Sequence, residues 1–236
     1  MIVSSQSRTY NREGSVSFRS TKERFGGLSN MASGFPVEVN GTRIRTAEAL
    51  YQACRYPDRP DIQRTIIEQR SPMTAKMKGK RFLTDTRPDW DKVRVNVMRW
   101  SLRVKLALNW DSFGDLLLRT GDAPIVEDSR KDAFWGAKPT DGNLVGMNIL
   151  GRLLMELRQG LQGSDQNHLR TVDPLQIPQF LLNVKPIERI TTPEGSDLLR
   201  QSPWDRNRAT VGDPPMSTEE TPSGGVITPL NSRGSA

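Results

Sequence analysis

The sequence predicts an α+β, mostly helical fold: one compact domain with a small N-terminal β element and an extended or disordered C-terminal tail. Three observations predict it. Alternation of apolar and polar residues with turn signals is confined to the stretch before residue 45. Apolar residues then recur at helical spacing up to Leu161. From about Gly163 the periodicity stops, and nine of the sixteen prolines fall beyond that point among serine, threonine, glycine and charge. The 236 residues therefore divide into a flexible N-terminus (1–13), a folded domain (14–162) and a proline-rich tail (163–236).

Val16 and Phe18 alternate with polar residues as a first strand does, and residues 25–31 (FGGLSNM) form a glycine-containing loop. Val37, Val39 and Ile44 flank Asn40-Gly41, the strongest short hairpin signal. Thr46 is a good N-cap for a short helix that Pro57 closes by disfavouring helical geometry at Tyr56. Residues 61–70 place Ile62, Ile66 and Ile67 on one side. Ser71-Pro72 caps and opens a helix over 73–78, with Gly79 as its stop. The longest helix runs over 90–108, with Trp90, Val93, Val97, Trp100, Val104 and Ala107 as its apolar stripe. Lys92, Arg99 and Arg103 line another side, either as a solvated face or as a phosphate contact. A short helix over 112–120, a strand at Ile125-Val126, a loop over 129–137 and a leucine-rich helix around 150–161 complete the domain. In the tail, residues 180–184 and 197–200 carry enough apolar character to dock on the core or on a partner.

The helix after Thr46 holds the most informative carboxylate. Ala47, Leu50, Tyr51 and Cys54 share its apolar face, while Glu48, Gln52 and Arg55 border that face, where a buried wall meets a cleft. Glu48 either complements the helix dipole and pairs with Arg55, or carries chemistry. Elimination favours chemistry. The only histidine, His168, lies beyond the last periodic segment, and the only cysteine, Cys54, sits on an apolar face with no histidine nearby in sequence to activate it. Neither a zinc-ligand pattern nor a phosphate- or dinucleotide-binding fingerprint is present, so no metal or cofactor is expected. The formal charge of +7 favours polyanionic partners, and with neither a leader nor a long apolar run the expected location is the cytoplasm, away from membranes. In the 129–137 loop, Asp132, Phe134, Trp135 and Gly136 combine an acid, two aromatics and a glycine; the rings either stack on a base or pin the loop to the core.

Six blocks in order (FGGLSNM, TAEALYQACRYP, SPMTAKMKGK, DW followed by VMRWSLRVKL, KDAFWGA and NILGRLLMELR) resemble the NADAR family, the YbiA-like N-glycosidases, from about Val16 to Leu161. The resemblance implies hydrolysis of an N-glycosidic bond. One branch of the family breaks down phosphorylated ribosylamino intermediates of riboflavin synthesis. Another removes ADP-ribose from guanine in DNA and acts as antitoxin to a DNA ADP-ribosyltransferase. The family's acid falls on Glu48, its Ser-Asn loop on Ser29 and Asn30, and its aromatic block on Asp132, Trp135 and Gly136. Gln52, Arg55 and Trp100 complete the expected substrate site. Riboflavin-type members carry lysine where this chain has Arg55 and arginine where it has Lys76. Arginine cannot serve as an amine nucleophile, so a Schiff-base route leaves Lys22 or Lys76. On that route Glu48 handles protons at the ribose and leaving base, and Asp132 orients ribose hydroxyls or water. The exchanged residues and the positive charge favour ADP-ribosylated DNA or an ADP-ribosyl nucleoside as substrate, with a paired transferase toxin as partner. A small phosphorylated ribosylamino-pyrimidine is the second reading, and a non-catalytic ADP-ribose or nucleic-acid binding module the third.

Overall fold

The computed structural model describes residues 6–193. It opens with a strand, β1 (Arg8–Asn11), inside the stretch expected to be a flexible terminus. Only Tyr10 of this strand is buried, against Val126, Ala137 and Leu144, so there is no apolar alternation to announce it. β2 (Val16–Phe18) lies where the alternation placed it. The hairpin of β3 (Val37–Val39) and β4 (Thr42–Ile44) turns on Asn40 (φ 51°) and Gly41 (φ 71°), both left-handed as a two-residue primed turn requires.

Three short helices follow. α1 (Ala47–Ala53) starts at Thr46, whose Oγ1 accepts from the Ala49 N–H at 3.2 Å. α2 (Pro60–Ile67) ends three residues before the expected limit, with Glu68 as its C-cap. α3 (Pro72–Lys80) is capped by Ser71, but Gly79 lies inside it instead of stopping it. A Cβ at Gly79 would stand 3.2 Å from Gln52 Oε1, so this glycine lets α3 lie close against α1.

α4 (Trp90–Leu108) forms the spine of the core and packs against α1, α5 (Trp110–Leu118) and α6 (Ile149–Gln162). Between α5 and α6 come β5 (Ile125–Glu127), which pairs parallel with β2, and β6 (Lys138–Thr140) and β7 (Asn143–Gly146), which form an antiparallel sheet with β1 in the order β1-β7-β6. A lysine, Lys105, is wholly buried on α4. Its Nζ donates to the carbonyls of Gly27 (2.6 Å) and Ser29 (3.0 Å) and lies 4.1 Å from the Phe113 ring centroid. Burial pushes its pKa well below the ordinary lysine range, and the two carbonyls and ring faces stand in for water.

The packed body does not end at residue 162. The chain continues through β8 (Thr171–Val172), β9 (Leu181–Leu182), β10 (Lys185–Pro186) and β11 (Ile190–Thr191), in antiparallel pairs β8/β11 and β9/β10. This segment is extended, as expected, but it is anchored. Leu169, Val172, Phe180, Leu182, Ile187 and Ile190 enter the core. Gln63 clamps it from α2, donating to the Leu181 carbonyl (3.0 Å) and accepting from the Asn183 N–H (2.8 Å). Docking at 180–184 is thus present, while 197–200 lies outside the described residues. The basic side of α4 serves the same docking. Arg103 donates to the carbonyls of His168 and Thr171, Arg99 pairs with Glu156 at 2.9 Å, and Lys92 stays exposed. Among the described residues no helix is long and apolar enough to cross a membrane.

Candidate active site

Glu48 is buried in the first turn of α1, where its backbone N–H donates to the Asn30 carbonyl at 3.1 Å and its Oε1 accepts from Gln52 Nε2 at 2.9 Å. The pairing with Arg55 does not form. Arg55 turns away, donates to Thr86 Oγ1 at 2.9 Å and lies over the Trp90 ring at 5.4 Å. Asn30 is buried beside Glu48. Its Nδ2 meets the Met98 sulfur, and its Oδ1 is buried without a hydrogen-bond partner among the described residues. Ser29 turns its hydroxyl inward to accept from the Met31 N–H at 3.2 Å. The glycine loop is not an open phosphate cradle: the N–H groups of Gly26, Leu28 and Ser29 donate to carbonyls within the turn. Gly26 is required for close packing, since a Cβ there would stand 2.4 Å from the Ser20 carbonyl oxygen.

Aromatic contacts join α1 to the 129–137 loop. Tyr51 lies 5.1 Å from Trp90 and 5.7 Å, edge-on, from Trp135. Phe134 meets Trp135 at 5.0 Å and carries the Arg94 guanidinium at 4.0 Å, so the two loop rings share both tasks, pinning the loop and walling the site. Asp132 shapes this loop: its Oδ1 accepts from the N–H groups of Phe134 and Trp135, both at 2.9 Å. The carbonyls of Phe134 and Trp135 then accept from the Ile149 and Leu150 N–H groups, capping α6. Burial and Glu48 push the Tyr51 phenol up, while Arg94 and Arg55 oppose, which places all three charges around one hydroxyl.

Glu127 feels the charges of several of these residues. It ends β5, and its carboxyl feels Lys76 on α3, Asp132 in the loop and Glu48 on α1. Burial pushes its pKa up to about 7; Lys76 opposes the shift, and Asp132 and Glu48 add to it. The ordinary value is 4.5, so the folded chain holds this proton more tightly than the unfolded chain. Stability from this group is fully present below about pH 4.5, falls as pH rises through about 7, and amounts to roughly 3 kcal/mol across that window. Glu127→Gln, neutral throughout, is expected to abolish this slope and to unfold at higher temperature than the native chain at pH 8, as thermal melts at pH 5 and pH 8 would show.

Glu48, Gln52, Asn30 and Trp135 lie on or against α1, Lys76 and Asp132 act on the same Glu127 carboxyl as Glu48, and Gly136 packs on the Glu127 backbone. Four expected residues are placed otherwise. Ser29 turns to the Met31 N–H and Arg55 to Thr86. Lys22 lies exposed in the turn before the glycine loop. Trp100 faces the C-terminal segment, donating from Nε1 to the Asp173 carbonyl at 3.1 Å and packing on Phe180 at 4.9 Å, so its ring holds the tail and not a substrate. Sequence reasoning missed Glu127, Arg94 and the site-facing role of Trp90. The signal available was weak: Glu127 follows two apolar strand residues and reads as the strand's polar exit. Burial also pushes the Cys54 thiol up to about 12, which makes it a small hydrophobe and not a nucleophile.

Known proteins resemble this chain in sequence and fold. N-glycosidase YbiA of Shigella boydii is 38% identical over 149 residues, covering 62% of this chain and 88% of that protein. A riboflavin biosynthesis protein of Vibrio vulnificus is 32% identical over 166 residues, covering 69% of this chain and 43% of that protein. The NMR structure of the E. coli protein YbiA superposes with a TM-score of 0.53 at 33% identity, covering 69% of this chain and 94% of the other. Residues 17–162, which hold every element of the site just described, match the NADAR domain, and the chain belongs to that family.

Proposed function

We propose that this protein is an N-glycosidase that releases ADP-ribose from guanine in ADP-ribosylated DNA. Supporting a nucleic-acid substrate is a groove of about 470 Å³ lined by three arginines, Arg43, Arg45 and Arg64, against one acid, Glu68, with Arg45 directly before the N-cap of α1. None of these three guanidiniums has an acidic partner within the described residues, so each can accept a backbone phosphate. This observation carries the choice of DNA over a small molecule. The reaction reverses a transferase's product, so a DNA ADP-ribosyltransferase is the expected counterpart of this protein.

At the sugar, Glu48 handles the protons and Asp132 orients hydroxyls or water. Lys76, whose charge acts on the Glu127 carboxyl as those of Glu48 and Asp132 do, is the amine we assign to capture of the opened ribose. Ring opening puts a proton on the ring oxygen, the lysine nitrogen adds to C1′ and passes a proton to a neighbouring carboxylate, and the base departs with a proton. Water then hydrolyses the imine and restores the amine. A second reading, hydrolysis of a phosphorylated ribosylamino-pyrimidine, draws on the likeness to a riboflavin biosynthesis protein.

Incubation of the purified protein with an ADP-ribosylated-guanine oligonucleotide and, separately, with the riboflavin intermediate distinguishes them. Release of ADP-ribose from the oligonucleotide alone is expected; turnover of only the small molecule sinks the DNA reading, and turnover of neither leaves a binding module. Borohydride trapping on the oligonucleotide is expected to succeed in wild type and Lys22→Ala and to disappear in Lys76→Ala. No trapping in wild type ends the imine route.

A further inference from the structure

We infer that the groove of Arg43, Arg45 and Arg64 is a binding site for the backbone of a DNA strand, built jointly by the β3/β4 hairpin, the end of α2 and the turn between β9 and β10. The enzyme then takes its substrate from the polymer and not from the nucleotide pool. That catalytic consequence rests on the N-glycosidase reading; strand binding itself does not. One wall of the site comes from the C-terminal segment, outside the family domain at residues 17–162.

Local structure sets each wall. Arg43 and Arg45 flank Ile44, which is wholly buried, so both alternate away from the core and stand exposed. Arg64, Ile67 and Glu68 come three and four residues apart at the end of α2, which puts them on one face, and Ile67 supplies the apolar part of the lining. Asn183 closes the groove from the β9/β10 turn. Both residues of this turn, Asn183 (φ 50°) and Val184 (φ 62°), are left-handed, a conformation that a β-branched valine rarely adopts. Contacts to the other two walls hold the strained turn in place. The Asn183 N–H donates to Gln63 Oε1 at 2.8 Å, and Asn183 Nδ2 donates to Thr42 Oγ1 at 3.3 Å. Asn40, in the β3/β4 turn, donates from Nδ2 to the Pro186 carbonyl at 2.9 Å and accepts from the Glu188 N–H at 3.1 Å.

Charge decides the occupant. The lining carries three guanidiniums and one carboxylate, Glu68. Neither Glu68 nor Glu38, which stands opposite Arg43 across the hairpin, makes an ion pair with them among the described residues. Guanidiniums spread over two elements and an open groove match successive phosphates of a strand better than one isolated anion. Arg45 directly precedes Thr46, the N-cap of the helix that carries Glu48, so the groove adjoins the start of α1.

Fluorescence anisotropy of a labelled, unmodified single-stranded DNA oligonucleotide, titrated with the full chain at several salt concentrations, reads the site without turnover. Joint Arg43→Gln, Arg45→Gln and Arg64→Gln should weaken binding by about 30-fold and reduce the slope of log affinity against log salt by about 2, since each phosphate contact on a single strand contributes about 0.7. Glu68→Gln, which removes the acid of the lining, should tighten binding by about 3-fold, and Asn183→Asp, which keeps the backbone bond to Gln63 and adds a charge to its wall, should weaken it by about 5-fold. Wild-type affinity and slope in the triple variant overturn the site, and wild-type affinity in Asn183→Asp overturns the part given to the C-terminal segment. Equal affinity for polyglutamate, or displacement by inorganic phosphate as readily as by unlabelled oligonucleotide, overturns the strand as its occupant. Turnover reads the consequence: the ratio of kcat/KM for the ADP-ribosylated-guanine oligonucleotide to that for ADP-ribosylguanosine should fall by about 30-fold in the triple variant. A ratio that does not move overturns the inference while leaving the glycosidase reading intact. Wild type that binds the strand with the expected slope but releases base from neither substrate overturns the glycosidase reading and upholds the binding site.

Discussion

Glu48→Gln is expected to lower kcat/KM by about 10³-fold, equivalent to about 4 kcal/mol of transition-state stabilisation, without unfolding the protein. The fold is spared because glutamine keeps the oxygen that accepts from Gln52 Nε2, and the backbone bond from residue 48 to the Asn30 carbonyl does not involve the side chain. What disappears is the negative charge that answers the positive charge developing at the anomeric carbon, together with the acceptor for a proton. Base release measured alongside a circular-dichroism melt checks both halves. A variant that melts like wild type and turns over like wild type would falsify the placement of Glu48 in the chemistry.

The second large effect is structural. Gly136→Ala is expected to destabilise the chain by about 2–4 kcal/mol and to abolish turnover with it. A Cβ at residue 136 would stand 2.5 Å from the Glu127 carbonyl oxygen and 3.0 Å from Ser129 Cβ. That carbonyl cannot retreat, because it already accepts from the Ala137 N–H at 2.8 Å. Relief must come from moving the loop, and the loop carries Asp132, Trp135 and the carbonyls that cap α6. Gly14→Ala is the control: its nearest neighbour, Asn11 Oδ1, would be 3.7 Å away, and urea midpoints should separate the two clearly. Equal midpoints would show that the loop absorbs the methyl group, and the close approach would then not be what requires glycine.

The legible parts of the chain are those whose signal is local. α4 spans the residues its apolar stripe marked out, and the Asn40-Gly41 hairpin and the Thr46 and Ser71 caps are read from side chains that act within a few residues of themselves. β1 and the C-terminal clamp were not legible, because a strand with one buried side chain and a segment docked through isolated residues carry no period. Trp100 illustrates the limit. On α4 it looks like any stripe residue, and only the arrival of Phe180 and the Asp173 carbonyl decides that it faces the tail. Trp90, ten residues earlier on the same stripe, takes the aromatic place beside Tyr51 and Arg55.

From residue order alone follow the helices, the hairpin, the candidate acid Glu48, the family resemblance, and the exclusion of histidine and cysteine chemistry. Tertiary structure decided which charges share a space. It set Lys76, Asp132 and Glu48 where their charges act on Glu127, left Lys22 exposed, and drew Arg99 and Arg103 into contacts with Glu156 and the C-terminal segment. The physical reason is range. Capping and periodicity act over a few residues, so the chain spells them out, whereas desolvation and Coulomb interactions depend on distances that exist only after residues 48, 76, 127 and 132 have been folded onto one another.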